Sequence, residues 1–123
     1  MRNYRNLDIW HKGIEILKLV YRISNQFPEN EKYGLTAQIK RAVISILSNI
    51  AEGSGRNSNQ QMINFLSISK GSAYEVEAQL IIANELNYIS KEDLELAIEL
   101  IDHYCRMNQN FQNYLKKNTN GNK

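Results

Sequence analysis

The sequence predicts an all-α protein, an antiparallel up-down-up-down four-helix bundle, and three observations predict it. Apolar residues recur at spacings of three and four through four separate segments. Short connections join the segments, which favours antiparallel neighbours. Among 123 residues there is a single Pro, and Ile, Leu, Glu, Lys and Asn outnumber Val, Thr and Phe, a balance that favours helices over strands.

The first helix spans roughly Leu7 to Gln26. Leu7, Trp10, Ile14, Leu17 and Tyr21 form one apolar row, and Ile9, Ile16, Val20 and Ile23 widen it. Pro28 is expected to end it, because the residue before a proline is pushed out of the helical region. The second helix runs from about Gly34 to Glu52. Its main row is Leu35, Ile39, Val43, Ile46 and Ile50, with Ile44, Leu47 and Ala51 as another. A helix apolar on two sides is buried on two sides, so this one is expected to touch a second subunit as well as its own core. Gly53 and Gly55 should stop it, since glycine accepts left-handed geometry at a helix end.

The third helix begins at Ser58, with Gln61 completing a capping box. Its row is Met62, Phe65 or Leu66, Ser69, Ala73, Val76, Leu80 and Ala83. The middle, Ser69-Lys70-Gly71-Ser72-Ala73, is small. Glycine costs about 1 kcal/mol against alanine inside a helix, so a close neighbour is expected at Gly71, and Gly71→Leu should destabilise by overpacking. Asn87-Tyr88-Ile89 reads as a turn. Ser90 then caps the fourth helix, with Asp93 in the box position. Leu94, Ala97, Ile101, Tyr104, Asn108, Phe111 and Leu115 alternate by three and four, a heptad seam interrupted at Asn108. Asn108 either fixes register or oligomer state, or sits at the rim. Lys116 and Lys117 suit the C-terminal end of a helix. Residues 1–117 should form one domain, and residues 118–123 a disordered tail.

Charge is unevenly divided. Residues 1–70 hold ten Lys/Arg against five Asp/Glu, whereas residues 71–123 hold five against eight. That split reflects either a basic face or basic and acidic helices packing together. The lone cysteine, Cys105, cannot form an internal disulfide, which fits a reducing compartment. No apolar run approaches the ~18 residues of a membrane span, and Met1–Asn6 lacks the apolar core of a signal peptide. A cytoplasmic protein without membrane contact is expected.

The sequence offers little to catalysis. A di-metal carboxylate site in a bundle needs paired Glu-x-x-His motifs, but only His11 and His103 exist, and Glu99 precedes His103 by four residues. Carboxylates alone, such as Glu52, Glu75 and Glu77, make a poor transition-metal site. Cys105 and His103 are two apart on a helix and point in different directions. Gly53-Ser54-Gly55 follows a helix rather than a strand, unlike a phosphate loop. No metal, cofactor or enzymatic activity is expected.

Basic residues remain. Lys18 and Arg22 lie one turn apart, Lys40 and Arg41 sit early on the second helix, and Arg56 follows its end. These five are the candidates for phosphate contact, with Tyr4 or Tyr33 available for stacking. The alternative for Arg41 is an ion pair with Glu52, Glu75 or Glu77. For Lys18, Arg22 and Lys40 it is plain solvated surface.

The assembled motifs are Leu7-Asp8-Ile9-Trp10-His11-Lys12, Phe27 to Thr36, Gln38-Ile39-Lys40-Arg41-Ala42, Ser48-Asn49-Ile50-Ala51-Glu52-Gly53-Ser54-Gly55-Arg56, and Gly71-Ser72-Ala73-Tyr74-Glu75-Val76-Glu77-Ala78-Gln79-Leu80. Together they resemble the small four-helix proteins of intervening sequences in bacterial large-subunit (23S) ribosomal RNA genes, a family whose ribosomal-protein label follows gene location. The resemblance covers nearly the whole chain. It implies a homopentamer, and a relation to the accessory protein of diversity-generating retroelements, a basic pentameric barrel that binds nucleic acid and a reverse transcriptase. This chain departs from the pattern at Leu47, where the family often carries proline, so its second helix should be straighter. It is also less basic than the retroelement protein. The expectation is therefore an oligomeric, non-catalytic scaffold that binds RNA or DNA, the alternative being a protein–protein interaction module.

Overall fold

The computed structural model describes residues 3–119. Among them are four α-helices and two short 3-10 turns, and no strand: α1 is Asp8–Ser24, α2 Leu35–Ser54, α3 Asn59–Glu85 and α4 Lys91–Thr119. The chain is all-α, as the periodicity predicts. Helix α4 runs to Thr119, past the point where the tail was expected to start; the rest of that expectation, residues 120–123, lies outside the described residues.

Each helix packs on its two neighbours. Helix α3 meets α2 and α4 most extensively, and α1 meets α2 and α4 less so. Hydrogen bonds and an ion pair join the neighbours. Ile46 accepts from Ser69 Oγ at 2.7 Å, and Ser45 and Ser72 share a hydrogen bond of 2.9 Å. Leu66 accepts from Asn108 Nδ2 at 3.0 Å, and Arg22 meets Asp93 at 3.3 Å. The predicted rows converge on one core of Ile16, Val20, Ile39, Ile46, Ile50, Met62, Leu66, Leu80 and Ile101. Of the two options on α3, Leu66 is buried and Phe65 lies at the margin.

The helix ends differ from expectation in instructive ways. Helix α1 stops at Ser24, four residues before Pro28, because Gln26 and Phe27 already turn back onto Ile23 and Ser24. The turn buries the Phe27 ring 5.8 Å from Tyr88. Helix α2 passes through Gly53, and Gly55 caps it at φ −82°, so neither glycine is left-handed. Gly53 serves close approach instead. A Cβ there would stand 2.7 Å from Met62 Sδ and 2.9 Å from Phe65 Cβ. Left-handed geometry appears at Asn87, φ 63°, where the Tyr88 N–H reaches back to Ala83 O and ends α3. Ser58 and Ser90 cap α3 and α4 through the Gln61 and Asp93 N–H groups, both at 3.1 Å. The Asp93 carboxylate is taken up by Gln26 and Arg22.

Gly71 is a correction. It is exposed, and among the described residues nothing lies within 4 Å of where its Cβ would be. Within one chain the close approach falls on Ser69, Ser72 and Ala73, one step round the helix. Gly71→Leu therefore cannot overpack a single chain. Leu47 packs on Gly13, where a Cβ would lie 2.8 Å from Leu47 Cδ2, and α2 is continuous past it. Leu47 thus serves the chain's own core, while Ile44 from the same row stays 46% exposed.

Candidate nucleic-acid interface

The five basic candidates do not form one site. On α1 the buried residues Ile9, Ile16, Val20 and Ile23 face inward, which turns Lys18 directly outward. Tyr21 and Arg22 flank it on either side. Tyr21 carries the Lys40 ammonium over its ring at 5.0 Å, joining α1 to α2. Arg22 reaches the other way to Asp93 on α4. Lys40 thus joins the outer part of α1 that carries Lys18, while Arg22 turns away toward α4. Lys18 makes no ion pair among the described residues.

Arg56 lies at the opposite end of α2. Lys40 and Ser54 are separated by about 21 Å of helix. Arg56 pairs with Glu52 at 3.5 Å and covers the Phe65 ring at 5.0 Å. Both charges of that pair are half exposed, so it contributes little stability. Arg41 occupies the outer face of α2, in a shallow open groove of about 590 Å³ shared with Gln38, Ile44, Ser45, Ser48 and, from α3, Glu75. It forms no ion pair with Glu52, Glu75 or Glu77 among the described residues, contrary to the pairing alternative. Tyr33 is 88% exposed beside Lys32, whereas Tyr4 packs edge-on against Trp10 and is not free to stack.

The polar interior serves packing. Asn108 is fully buried. Its amide donates to Leu66 O, and its carbonyl accepts from Gln112 at 2.7 Å. It locks α4 onto α3 within one chain and is not a rim residue. Ser69 bonds both Ile46 O and the Tyr104 hydroxyl, tying three helices together. Burial pushes the Tyr104 phenol up to about 12, so it stays a neutral hydroxyl. Burial likewise raises the Cys105 thiol, which disfavours a reactive thiolate. Glu77 is raised by burial and then by Asp102. No three His, Cys, Asp or Glu side chains among the described residues come together as a metal site.

Two groups escaped the sequence. Glu31 caps α2 by accepting the Leu35 N–H at 3.1 Å, and accepts the Tyr88 hydroxyl at 2.8 Å, clasping the two loops at one end. Tyr21 holds Lys40 beside α1. Only the i, i+3 and i+4 spacings of Lys18, Tyr21 and Arg22 hinted at it, because Lys40 arrives from another helix.

Comparison with known proteins bears on the fold. A family model described as 23S rRNA-intervening sequence protein matches residues 5–110. The chain is similar to a crystal structure from Bacteroides thetaiotaomicron, of a protein with unknown function from the S23 ribosomal protein family. The two are 23% identical with a TM-score of 0.77, over 85% of this chain and 97% of the other. That likeness concerns the fold alone. No curated protein matches. No helix among the described residues is long and apolar enough to cross a membrane.

Proposed function

The chain belongs to the 23S rRNA-intervening sequence protein family, and on that premise we propose that it is a non-catalytic, oligomeric helical scaffold. It is an antiparallel up-down-up-down bundle that works in the cytoplasm and binds structured RNA or DNA through the basic cluster on α1 and α2. The observation that carries this reading is the Lys40 ammonium over the Tyr21 ring at 5.0 Å, which brings a cation of α2 onto the outer part of α1 that also carries the exposed Lys18 and Arg22. Lys18 makes no ion pair among the described residues, and the half-exposed Arg22 is held by Asp93, so Lys18 is the readier to meet phosphates. The homopentamer implied by the resemblance would repeat this cluster on every copy, and repetition strengthens weak contacts by avidity. Arg41 and Arg56 lie off the cluster and are secondary.

The test is a salt titration of binding to ribosomal RNA fragments. Affinity should fall steeply as salt rises. Lys18→Glu with Lys40→Glu should weaken binding at low salt and flatten the slope of log K against log salt by about two. Binding that is absent at low salt, or indifferent to salt, defeats the reading. A second reading, a protein–protein interaction module, is favoured by the exposed apolar residues Ile68 and Ile82 on α3. It predicts a polypeptide partner whose binding survives the same charge reversals.

A further inference from the structure

The chain has seven tyrosines, and six of them are engaged by their own chain. Tyr104 is buried against Ser69, and Tyr88 donates to Glu31. Tyr4 packs on Trp10, Tyr114 stacks with Phe111 at 6.3 Å, Tyr21 carries Lys40, and Tyr74 meets Cys105. Tyr33 is the exception. It is 88% exposed, against at most 61% for any other large apolar side chain among the described residues. Its one partner among them is the Lys32 ammonium, 5.6 Å from the ring centroid.

The ring stands on a held loop. Pro28 presets the backbone at φ −60°. The Glu31 N–H donates to Pro28 O at 2.9 Å, the Lys32 N–H to Glu29 O at 3.1 Å and the Gly34 N–H to Glu31 O at 2.9 Å. The Glu31 carboxylate then ties the loop to the start of α2 and, through Tyr88, to the connection between α3 and α4. Gly34 makes room for it, since a Cβ there would stand 2.8 Å from Glu31 Oε1. A ring left in water gives up the stabilisation of burial. A pinned loop presents that ring in one place, so little ordering remains to be done when something binds it.

We propose that Tyr33 is a stacking platform for an unpaired nucleobase, which makes single-stranded or looped segments, rather than continuous duplex, the nucleic acid this chain takes. The proposal rests on the reading above and adds a ring to a surface that had only charge. Tyr33 sits on the connection between α1 and α2, and Leu35 and Lys40 are about 7–8 Å apart along α2, so the ring and the Lys40 ammonium lie at the same end of the bundle. Every base has a π-face and stacks on tyrosine with little regard to sequence. A base inside a duplex has both faces taken by its neighbours. The loop itself does not attract phosphate, because the exposed Glu29 offsets Lys32 and the Glu31 carboxylate is occupied by Leu35 and Tyr88. Tyr33 therefore contributes stacking while Lys18 and Lys40 meet phosphate, and experiment can separate the two.

The experiment measures binding of two RNAs, a hairpin with a single-stranded loop and a fully paired duplex, to the full chain, with circular dichroism to check folding. Tyr33→Ala should weaken hairpin binding by about tenfold. It should leave duplex binding, and the slope of log K against log salt, unchanged, because no phosphate contact is lost. Tyr33→Phe, which keeps the ring, should bind as wild type does. A fluorescent purine analogue placed in the loop should be quenched by wild type and not by Tyr33→Ala. Equal hairpin binding by wild type and Tyr33→Ala, or the same loss on the duplex, overturns the platform and leaves the basic surface standing. Loss of a polypeptide partner in Tyr33→Ala with RNA binding intact overturns it in favour of protein recognition. A wild type that binds neither RNA at low salt overturns both readings.

Discussion

Helices α3 and α4 are nearly equal in length, 27 and 29 residues, and lie side by side, yet the outer face of α4 is richer in charge. Inside, they are matched. Leu66, Ser69 and Ala73 of α3 meet Tyr104, Asn108 and Gln112 of α4 through packed apolar groups and satisfied hydrogen bonds. Outside, α4 exposes Glu92, Glu95, Glu99, Asp102 and Arg106 along with Leu96 and Tyr114, while α3 exposes Ile68, Gly71, Ala78, Ile81 and Ile82 with Glu75 and Glu85. Two helices with one inner logic thus differ in what they turn outward.

The sharpest way to break this comparison is to attack the shared interior. Ile101→Ala opens a cavity at a fully buried position of α4 and should cost about 2–5 kcal/mol by chemical denaturation. Leu96→Ala on the same helix, half exposed, should cost under about 0.5 kcal/mol. Equal losses would mean that the inner and outer faces of α4 are not distinct.

Gly53 and Gly71 carry the contrast to single atoms. Gly53→Ala drives a methyl into Met62 and Phe65 and should cost about 1–3 kcal/mol. Gly71→Ala meets open space, so in a dilute, single-chain sample it should raise stability by up to about 1 kcal/mol through helix propensity. Thermal melts of both variants against protein concentration separate the two terms. A Gly71→Ala loss that is independent of concentration would place a neighbour from the same chain there.

Asn108→Leu tests the inner hydrogen bonds. It strands Leu66 O and the Gln112 amide, and should cost about 1–3 kcal/mol in the same denaturation series.

The smallest effect concerns the loop clasp. The Leu35 N–H, and then the Tyr88 hydroxyl, hold the Glu31 carboxyl below its ordinary value. A depressed folded value means that the stabilisation is present above the unfolded value and is lost as pH falls through the folded one. Melting temperature should therefore dip slightly more in acid for wild type than for Glu31→Gln. Parallel pH curves would remove Glu31 from the account.

The two capping serines, the all-α class and the inward rows were legible in the sequence, because each is a local pattern repeated over many residues. Asn108 was visible as a break in the seam, but its burial was not, since its partners Leu66 and Gln112 lie on two helices. The basic cluster was half legible. Lys18 and Arg22 share a helix face by spacing alone, while Lys40 joins them only through the Tyr21 ring. Glycine was misread twice. Gly53 resembled a helix stop and proved to be a contact, and Gly71 resembled a contact and proved to be open.

What the sequence determined by itself is periodic: which residues turn inward, where serines start helices, and that four helices share a core. That follows because hydrogen-bonded helix geometry fixes the direction of every side chain relative to its neighbours. What only the tertiary structure decided is which of those directions ends against protein and which against water. Two glycines in small surroundings differ because one faces Met62 and the other faces none of the described residues, and no local spacing records the distance to a residue on another helix.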